Sequence, residues 1–315
     1  MPLKIVFCGT PAFALPTLRH LIEESDFQVE GVVTQPDRPR GRGQQTASSP
    51  VKDAALEAGI SVYQPEKIKS ESAHDYLMRV APDVVVIIAY GQIIPARLIA
   101  IPRLGWINLH ASLLPKYRGA APINWAIVNG ETRTGLTTMR IDAGLDTGPV
   151  LLKHETAIGP DETMPELTAR LAEAGAPLMA ETLRKLERGE IAPTPQDNSQ
   201  ATLAPPLKKE DGRIDWFLPA PKIYNRIRGL QPWPGAFTNF RGATCRIWGK
   251  PLKHVALGGM PGIILPAQED GLLVICGGAT VLRIEHIQLE GRKRISDRDF
   301  MNSAKIAPGE KFGGQ

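Results

Sequence analysis

The chain has 315 residues, 43% hydrophobic and 22% charged, which is ordinary for a globular protein in water and long enough for two domains. No apolar run approaches the roughly 18 residues that a membrane span needs, and residues 1–4 lead straight into an apolar strand, so no membrane segment, signal or transit peptide is expected. Cys8, Cys245 and Cys276 lie far apart with no metal-ligand spacing, which argues against a disulfide framework and a metal centre and for a cytoplasmic setting.

The net charge of +4 is unevenly spread. Residues 1–207 hold 20 Lys and Arg against 23 Asp and Glu, whereas residues 208–315 hold 17 against 10, a net of +7. A basic second part on a mildly acidic first part points to a polyanionic partner. A basic face that serves solubility alone is the plainer alternative.

In chain order, residues 4–9 read as a buried strand, and Thr10-Pro11 opens a helix with Thr as cap and Pro in the first turn. Residues 28–34 form a second strand, and a strand–helix–strand opening implies a parallel sheet. The turn Cys8-Gly9-Thr10-Pro11 lacks the glycine pattern of a dinucleotide site, so such a cofactor is not supported. Residues 34–45 carry Arg38, Arg40 and Arg42 among Pro and Gly with no apolar period, which predicts a long mobile loop. Its three Arg could neutralise phosphates, or be simply solvated.

Short helices are expected over 51–58 and 70–80, then a central parallel strand, buried on both faces, over 83–89. That strand runs into Tyr90-Gly91-Gln92-Ile93-Ile94-Pro95, a turn whose apolar rim suits a flat heterocycle. Another strand ends at Asn108-Leu109-His110, and a helix follows over 121–129. Residues 135–140 and 150–155 read as strands joined by a Gly-rich loop bearing Asp142 and Asp146. Residues 163–189 predict one long helix or a pair broken near Pro177, stopped by Gly189. Residues 191–206, with Pro193, Pro195, Pro205 and Pro206, read as an interdomain linker. Short strand-like runs at 244–248, 262–265, 272–276 and 280–287 predict a small barrel. The expected organisation is thus a first domain over 1–190, a linker over 191–207 and a basic domain over 208–315.

Asn108 and His110 lie two apart on a strand and project to one face at its end, the edge where open α/β sheets bind ligands. The bland reading is a turn-closing Asn and a satisfied, half-buried His. Asp146, from a separate loop, shifts the balance. Acyl or formyl transfer to an amine needs an oxyanion donor, which an Asn amide supplies. It also needs a group that moves a proton near neutral pH, which suits His. A carboxylate should orient the imidazole and favour its charged form. The amine is itself the nucleophile, so no covalent enzyme intermediate is required.

The run Asn108-Leu109-His110-Ala111-Ser112-Leu113-Leu114-Pro115, with Asp142-Ala143-Gly144-Leu145-Asp146-Thr147-Gly148, resembles the folate-dependent formyltransferases. Within them the chain is most similar to those that act on charged tRNA. Gly41-Arg42-Gly43, Ala89-Tyr90-Gly91, Arg118-Gly119-Ala120-Ala121-Pro122 and Gly212-Arg213-Ile214-Asp215-Trp216 extend the likeness over nearly the whole chain. The resemblance implies a Rossmann-like, mostly parallel sheet with helices on both faces, followed by a small OB-like β-barrel. It implies 10-formyltetrahydrofolate as donor, the α-amino group of methionine on initiator tRNA as acceptor, and no metal. Asn108, His110 and Asp146 would be catalytic. Ser112, Leu113, Leu114 and Pro115, with Ala89, Tyr90, Gly91 and Asp142, would hold the folate. Arg38, Arg40 and above all Arg42, with Lys208 and Lys209, would contact the tRNA. A monomer is expected.

Gln44, Gln45 and Pro206 stand where many members carry lysine, and each lost cation should flatten the salt dependence of tRNA binding by up to about one unit of slope. A sugar-nucleotide N-formyltransferase would share the Asn, His and Asp chemistry but has no use for the basic loop and barrel. A formyltetrahydrofolate hydrolase would leave the second domain without purpose. A non-catalytic nucleic-acid-binding protein would leave the Asn-x-His pair and the Asp loop unexplained.

Overall fold

A computed structural model describes residues 1–40, 45–253, 255–267 and 271–313. They fall into two compact units that interleave along the chain: residues 1–122, 133–157 and 167–205, and residues 123–132, 158–166 and 206–315.

The first unit contains β1 (Leu3–Gly9), α1 (Leu15–Glu23), β2 (Phe27–Val33), β3 (Arg38–Arg40), β4 (Gln45–Ala47), α2 (Pro50–Glu57), β5 (Val62–Tyr63), α3 (Glu71–Val80), β6 (Val84–Ile88), α4 (Ala96–Ile99) and β7 (Trp106–His110). After α5 (Pro122–Val128) come β8 (Arg133–Arg140), β9 (Val150–Ala157) and α6 (Met164–Glu187). Seven strands line up as β5–β2–β1–β6–β7–β8–β9, parallel through β7, with β8 and β9 antiparallel. β6 is buried along its whole length, as its unbroken Val and Ile run requires of a strand covered on both faces.

On β7 the faces separate cleanly. Gly175 of α6 sits so close to Leu109 that a Cβ there would come within 2.5 Å of Leu109 Cδ2. The Leu109 side of the strand therefore packs on α6. Asn108 and His110 turn to the opposite face, which continues the apolar layer of Val6, Cys8, Val33, Ile87 and Trp106. α6 runs unbroken through Pro177, and its Thr182 hydroxyl bonds Thr138 of β8 at 2.9 Å. The alternative of two helices broken at this proline is set aside.

Two local expectations change. Thr10 caps no helix. α1 is preceded by a single 3₁₀ turn at Ala12–Ala14, and the Thr10 hydroxyl instead accepts from the Gln35 amide at 3.3 Å. The long irregular loop is also narrower than its composition suggests. β3 and β4 pair antiparallel, Thr34 and Ser49 share a hydrogen bond at 2.9 Å, and Lys52 pairs with Asp37. The bonds from Lys52 and then Gln64 hold the Asp37 carboxyl below the usual carboxylate range. Ser49 and Ser70 cap α2 and α3. Residues 194–204, expected as a linker, pair with the first unit: Thr194 with Val150, Thr202 with Arg118, and Ala204 with Arg118.

The second unit is a curled antiparallel sheet that supports the barrel reading. It contains α7 (Ala220–Gly229), β10 (Phe237–Phe240), β11 (Ala243–Pro251), β12 (Ile264–Ala267), β13 (Gly271–Cys276), β14 (Thr280–Leu289), β15 (Ile295–Ser296) and α8 (Asp297–Ala304). The order is β10–β11–β14–β13–β12, with β15 on β14. β11 bends at an irregularity between Trp248 and Gly249, where a Cβ would meet the Arg283 carbonyl at 2.2 Å, so glycine is required at the bend. α5 and residues 158–166 complete this unit. Asn124 donates to the Gly229 carbonyl at 2.8 Å, and Arg228 donates to the carbonyls of Gly159 and Glu162. Burial raises all three thiols, Cys245 and Cys276 to about 12, so they behave as small apolar side chains. Among the described residues no helix is long and apolar enough to cross a membrane.

The ring cluster of Phe240, Phe300 and Phe312 anchors the second core, with Phe300 edge-on to Phe240 at 5.1 Å and 1% exposed. Phe300→Ala is expected to destabilise this unit by about 3–5 kcal/mol, read as a drop in the urea midpoint at unchanged slope.

Candidate active site

The site starts from β7. Asn108 pairs in register with Ile87 and is half-buried; His110 pairs with Thr137 and is 6% exposed. The sheet alone would leave His110 far from Asp146. β8 runs antiparallel, so the 141–149 loop begins beside Ile107 and Trp106, at the opposite end of β7. The loop nevertheless folds back over the sheet face, and Asp146 Oδ2 comes to 3.6 Å from His110 Nδ1.

That separation is too long for a hydrogen bond. Asp146 Oδ2 instead accepts from the Gly119 amide at 2.8 Å. The other ring nitrogen, His110 Nε2, lies 2.8 Å from the Tyr117 carbonyl. A carbonyl only accepts, so Nε2 carries a proton in either charge state. Nδ1 is therefore the nitrogen that gains or loses one, and it is the nitrogen that faces Asp146.

Backbone conformation concentrates here. Among the described residues, three of the seven non-glycine positions with left-handed backbone are Ala89 (φ 48°), Tyr117 (φ 61°) and Asp146 (φ 52°). Such positions persist only where surrounding contacts over-determine them. Asp142 Oδ1 accepts from the Gly144 amide and the Thr147 hydroxyl, tightening the turn before Asp146. Gly148 closes that turn, since a Cβ would lie 1.8 Å from the Arg140 carbonyl oxygen. Gln196 Nε2 then donates to the carbonyls of Asp146 and Gly148.

The remaining expected residues divide. Ser112 and Leu114 are fully buried and internally engaged. Ser112 donates to the Lys116 carbonyl at 2.6 Å, and the Leu114 amide donates to Thr137. Leu113 and Pro115 are only half-buried. Ala89 and Gly91 are exposed beside the carboxyl end of β6, next to Ile93, which is 87% exposed. The Tyr90 ring turns inward, its carbonyl fixed by Gln35 at 2.9 Å. Its hydroxyl is raised by burial and has no hydrogen-bond partner among the described residues. Asp142 is exposed. Arg38 is exposed in the first unit, and Lys208 and Lys209 are exposed in the second. Of Arg40 and Gln45 only the backbone is described, and Arg42 and Gln44 lie outside the described residues.

Sequence reasoning missed Tyr117, Arg118, Gly119 and Gln196 as supports of the pair. Gly119 stands in the quoted Arg118-Gly119-Ala120 run, but nothing in the spelling shows which amide faces a carboxylate.

A family model described as formyl transferase matches residues 3–183, and one described as the formyl transferase C-terminal domain matches residues 206–305. The chain belongs to the formyl transferase family. The methionyl-tRNA formyltransferase of Solibacter usitatus is 54% identical over 311 residues, covering 99% of each chain. Solved structures at lower identity share the fold. An N-formyltransferase from Helicobacter canadensis, in complex with folinic acid and dTDP-3-aminofucose, has a TM-score of 0.67 at 17% identity, covering 90% of this chain and 99% of that one. HypX from Aquifex aeolicus, in complex with tetrahydrofolic acid, has a TM-score of 0.64 at 17% identity; 99% of this chain spans 49% of HypX.

Because Gly148 has no room for a side chain, Gly148→Ala should push the loop off Arg140 and displace Asp146. A shift of about 1 Å costs roughly 10²-fold in turnover, so formyl transfer should fall by that order while the circular dichroism spectrum is unchanged.

Proposed function

We propose that the chain transfers a formyl group from 10-formyltetrahydrofolate to the α-amino group of methionine on initiator tRNA, for translation initiation, and that Asn108, His110 and Asp146 carry the reaction. The observation that carries this reading is the approach of Asp146 to His110 Nδ1 on the face shared with Asn108. The near-full-length likeness to enzymes named for this reaction supports the acceptor.

The residues present fit the donor. Ala89, Gly91 and Ile93 are exposed beside the end of β6, Leu113 and Pro115 are half-exposed beyond the end of β7, and the buried Tyr90 hydroxyl is free of protein partners among the described residues. Adjacent parallel strands thus offer apolar side chains and exposed backbone for a flat ring. When bound, the folate supplies a formyl group on its N10 nitrogen.

Asn108 donates its amide to the formyl oxygen as the methionine nitrogen bonds to the formyl carbon. His110, protonated at Nδ1, adds positive charge beside that oxygen, and Asp146 lies where an opposite charge faces it. His110 then serves as a station for the proton that leaves the new amide nitrogen and the one that N10 gains as its carbon–nitrogen bond breaks. The products are a formamide and tetrahydrofolate, so atoms and protons balance.

The acceptor's phosphates suit the cations. Lys208 and Lys209 are exposed at the start of residues 208–315, a net positive stretch, and Arg38 is exposed on β3. We place Arg40 and Arg42 in the same role on sequence grounds. A sugar-nucleotide acceptor would give these groups nothing to do. We infer a monomer that works in the cytoplasm; charged tRNA and folate as substrates support the setting.

Asp146→Asn keeps the Gly119 bond but removes the charge facing Nδ1. Turnover should fall by about 10²- to 10⁴-fold with the tRNA dissociation constant nearly unchanged; equal losses in both would remove Asp146 from the chemistry. Separately, Arg42→Ala should raise the Michaelis constant for tRNA or lower turnover, and reduce the salt slope by about one unit, with folate binding little changed. An unaltered tRNA response would exclude Arg42.

A further inference from the structure

Gln196 stands in a stretch that reads as a tether, yet its side chain occupies the first unit beside the catalytic loop. Its Nε2 donates to two carbonyls, Asp146 O at 2.8 Å and Gly148 O at 2.7 Å. Its Oε1 accepts from both Nε and Nη2 of Arg118, at 3.1 and 2.7 Å. Arg118 is only 7% exposed and makes a third bond to Asn198 Oδ1 at 2.8 Å. Its backbone lies between Tyr117, which holds His110, and Gly119, which holds Asp146.

We propose that Gln196 is a positioning residue for formyl transfer: bridging the Arg118 guanidinium and the Asp146 and Gly148 carbonyls, it fixes the backbone that aims the Asp146 carboxylate at His110. This rests on the assignment of Asp146 to the chemistry. The residue type follows from the two sides of the bridge. A guanidinium only donates and a carbonyl only accepts, so the bridging group must accept at one end and donate twice at the other. A primary amide does both, and Arg118 fixes which way round it sits. A carboxylate cannot donate, and an ammonium cannot accept. The strained φ of 52° at Asp146 gives the loop a reason to need such a clamp. Gln196 acts through the backbone of the loop. It touches Asp146 through the main chain and leaves the carboxylate itself to Gly119.

The test compares Gln196→Met, which keeps the bulk and loses every bond, with Gln196→Glu, which keeps the acceptor for Arg118 and loses both donors to the loop. Each is made alone and in the Asp146→Asn background, with kcat and both Michaelis constants measured and folding followed by thermal melting. The expected result is a fall in kcat of about 10- to 10²-fold in both single variants. Both Michaelis constants should stay within about threefold, since the substrate contacts are untouched. In the Asp146→Asn background neither change should lower kcat further, because residues acting as one unit are non-additive. Should Gln196→Met fail to fold, Gln196→Glu still decides the matter, because it preserves the Arg118 pair. Wild-type kcat in Gln196→Glu would overturn the proposal and leave Gln196 a structural partner of Arg118. So would an undiminished loss in the Asp146→Asn background. Full turnover of Asp146→Asn alone would instead overturn the underlying assignment, so the two failures are told apart.

Discussion

The carbonyl of Tyr117 and the amide of Gly119 hold the imidazole and the carboxylate of the site to one short run of backbone. Residues 196–204 keep that run in place. Tyr117 is in the left-handed region, and Gly119 at φ 121° has its missing Cβ position 2.7 Å from the Ala204 carbonyl. No other residue would fit there without displacing the extended 202–204 segment, which pairs with Arg118 through Thr202 and Ala204. The Arg118 guanidinium, buried beneath this pairing, ties the same run to Gln196 and Asn198.

The consequence is a site assembled from four separate pieces of sequence. β7 brings Asn108 and His110, the loop after β8 brings Asp146, the 117–119 run brings the two backbone anchors, and residues 196–204 lock the last two together. Sheet topology explains why a clamp is needed. An antiparallel β8 starts the Asp146 loop at the wrong end of β7, and the loop has to travel back along the sheet with little regular structure to guide it. The Asp142 turn, the glycine at 148 and the Gln196 amide do what hydrogen-bonded strands do elsewhere in the unit.

Legibility in the sequence follows from how local each signal is. The parallel core was readable, because β6 is an unbroken apolar run and needs no partner to be recognised. Asn108 and His110 were readable as a same-face pair from their spacing alone. The anchors were not, since a backbone carbonyl or amide has no sequence signature and left-handed φ values at Tyr117 and Asp146 leave no mark in residue type. Residues 191–206 have the prolines and polar side chains of an interdomain linker; that Gln196 and Ala204 pair inward depends on Arg118, some 80 positions away in sequence. In the second unit α8 escaped notice because it buries one large side chain, Phe300, and so lacks an apolar period, although Ser296 and Asp299 form its cap. Thr10 misled in the other direction: its residue type suits a cap, but the Gln35 amide competes for its hydroxyl and wins.

The two anchors share a property that bears on catalysis. Neither a backbone carbonyl nor a backbone amide changes protonation over the pH range in which an enzyme works. The imidazole is therefore held through Nε2 whether or not Nδ1 carries a proton, and the carboxylate is held through Gly119 whether or not the imidazole is charged. Were Asp146 bonded directly to Nδ1, each proton movement would make or break the contact that positions it. At 3.6 Å the carboxylate can face the charge without depending on it for its place. Transition-state charge is best stabilised by groups that need not reorganise as it develops. By separating what holds these side chains from what they face, the fold supports the proposed proton transfer at Nδ1 without requiring either side chain to move.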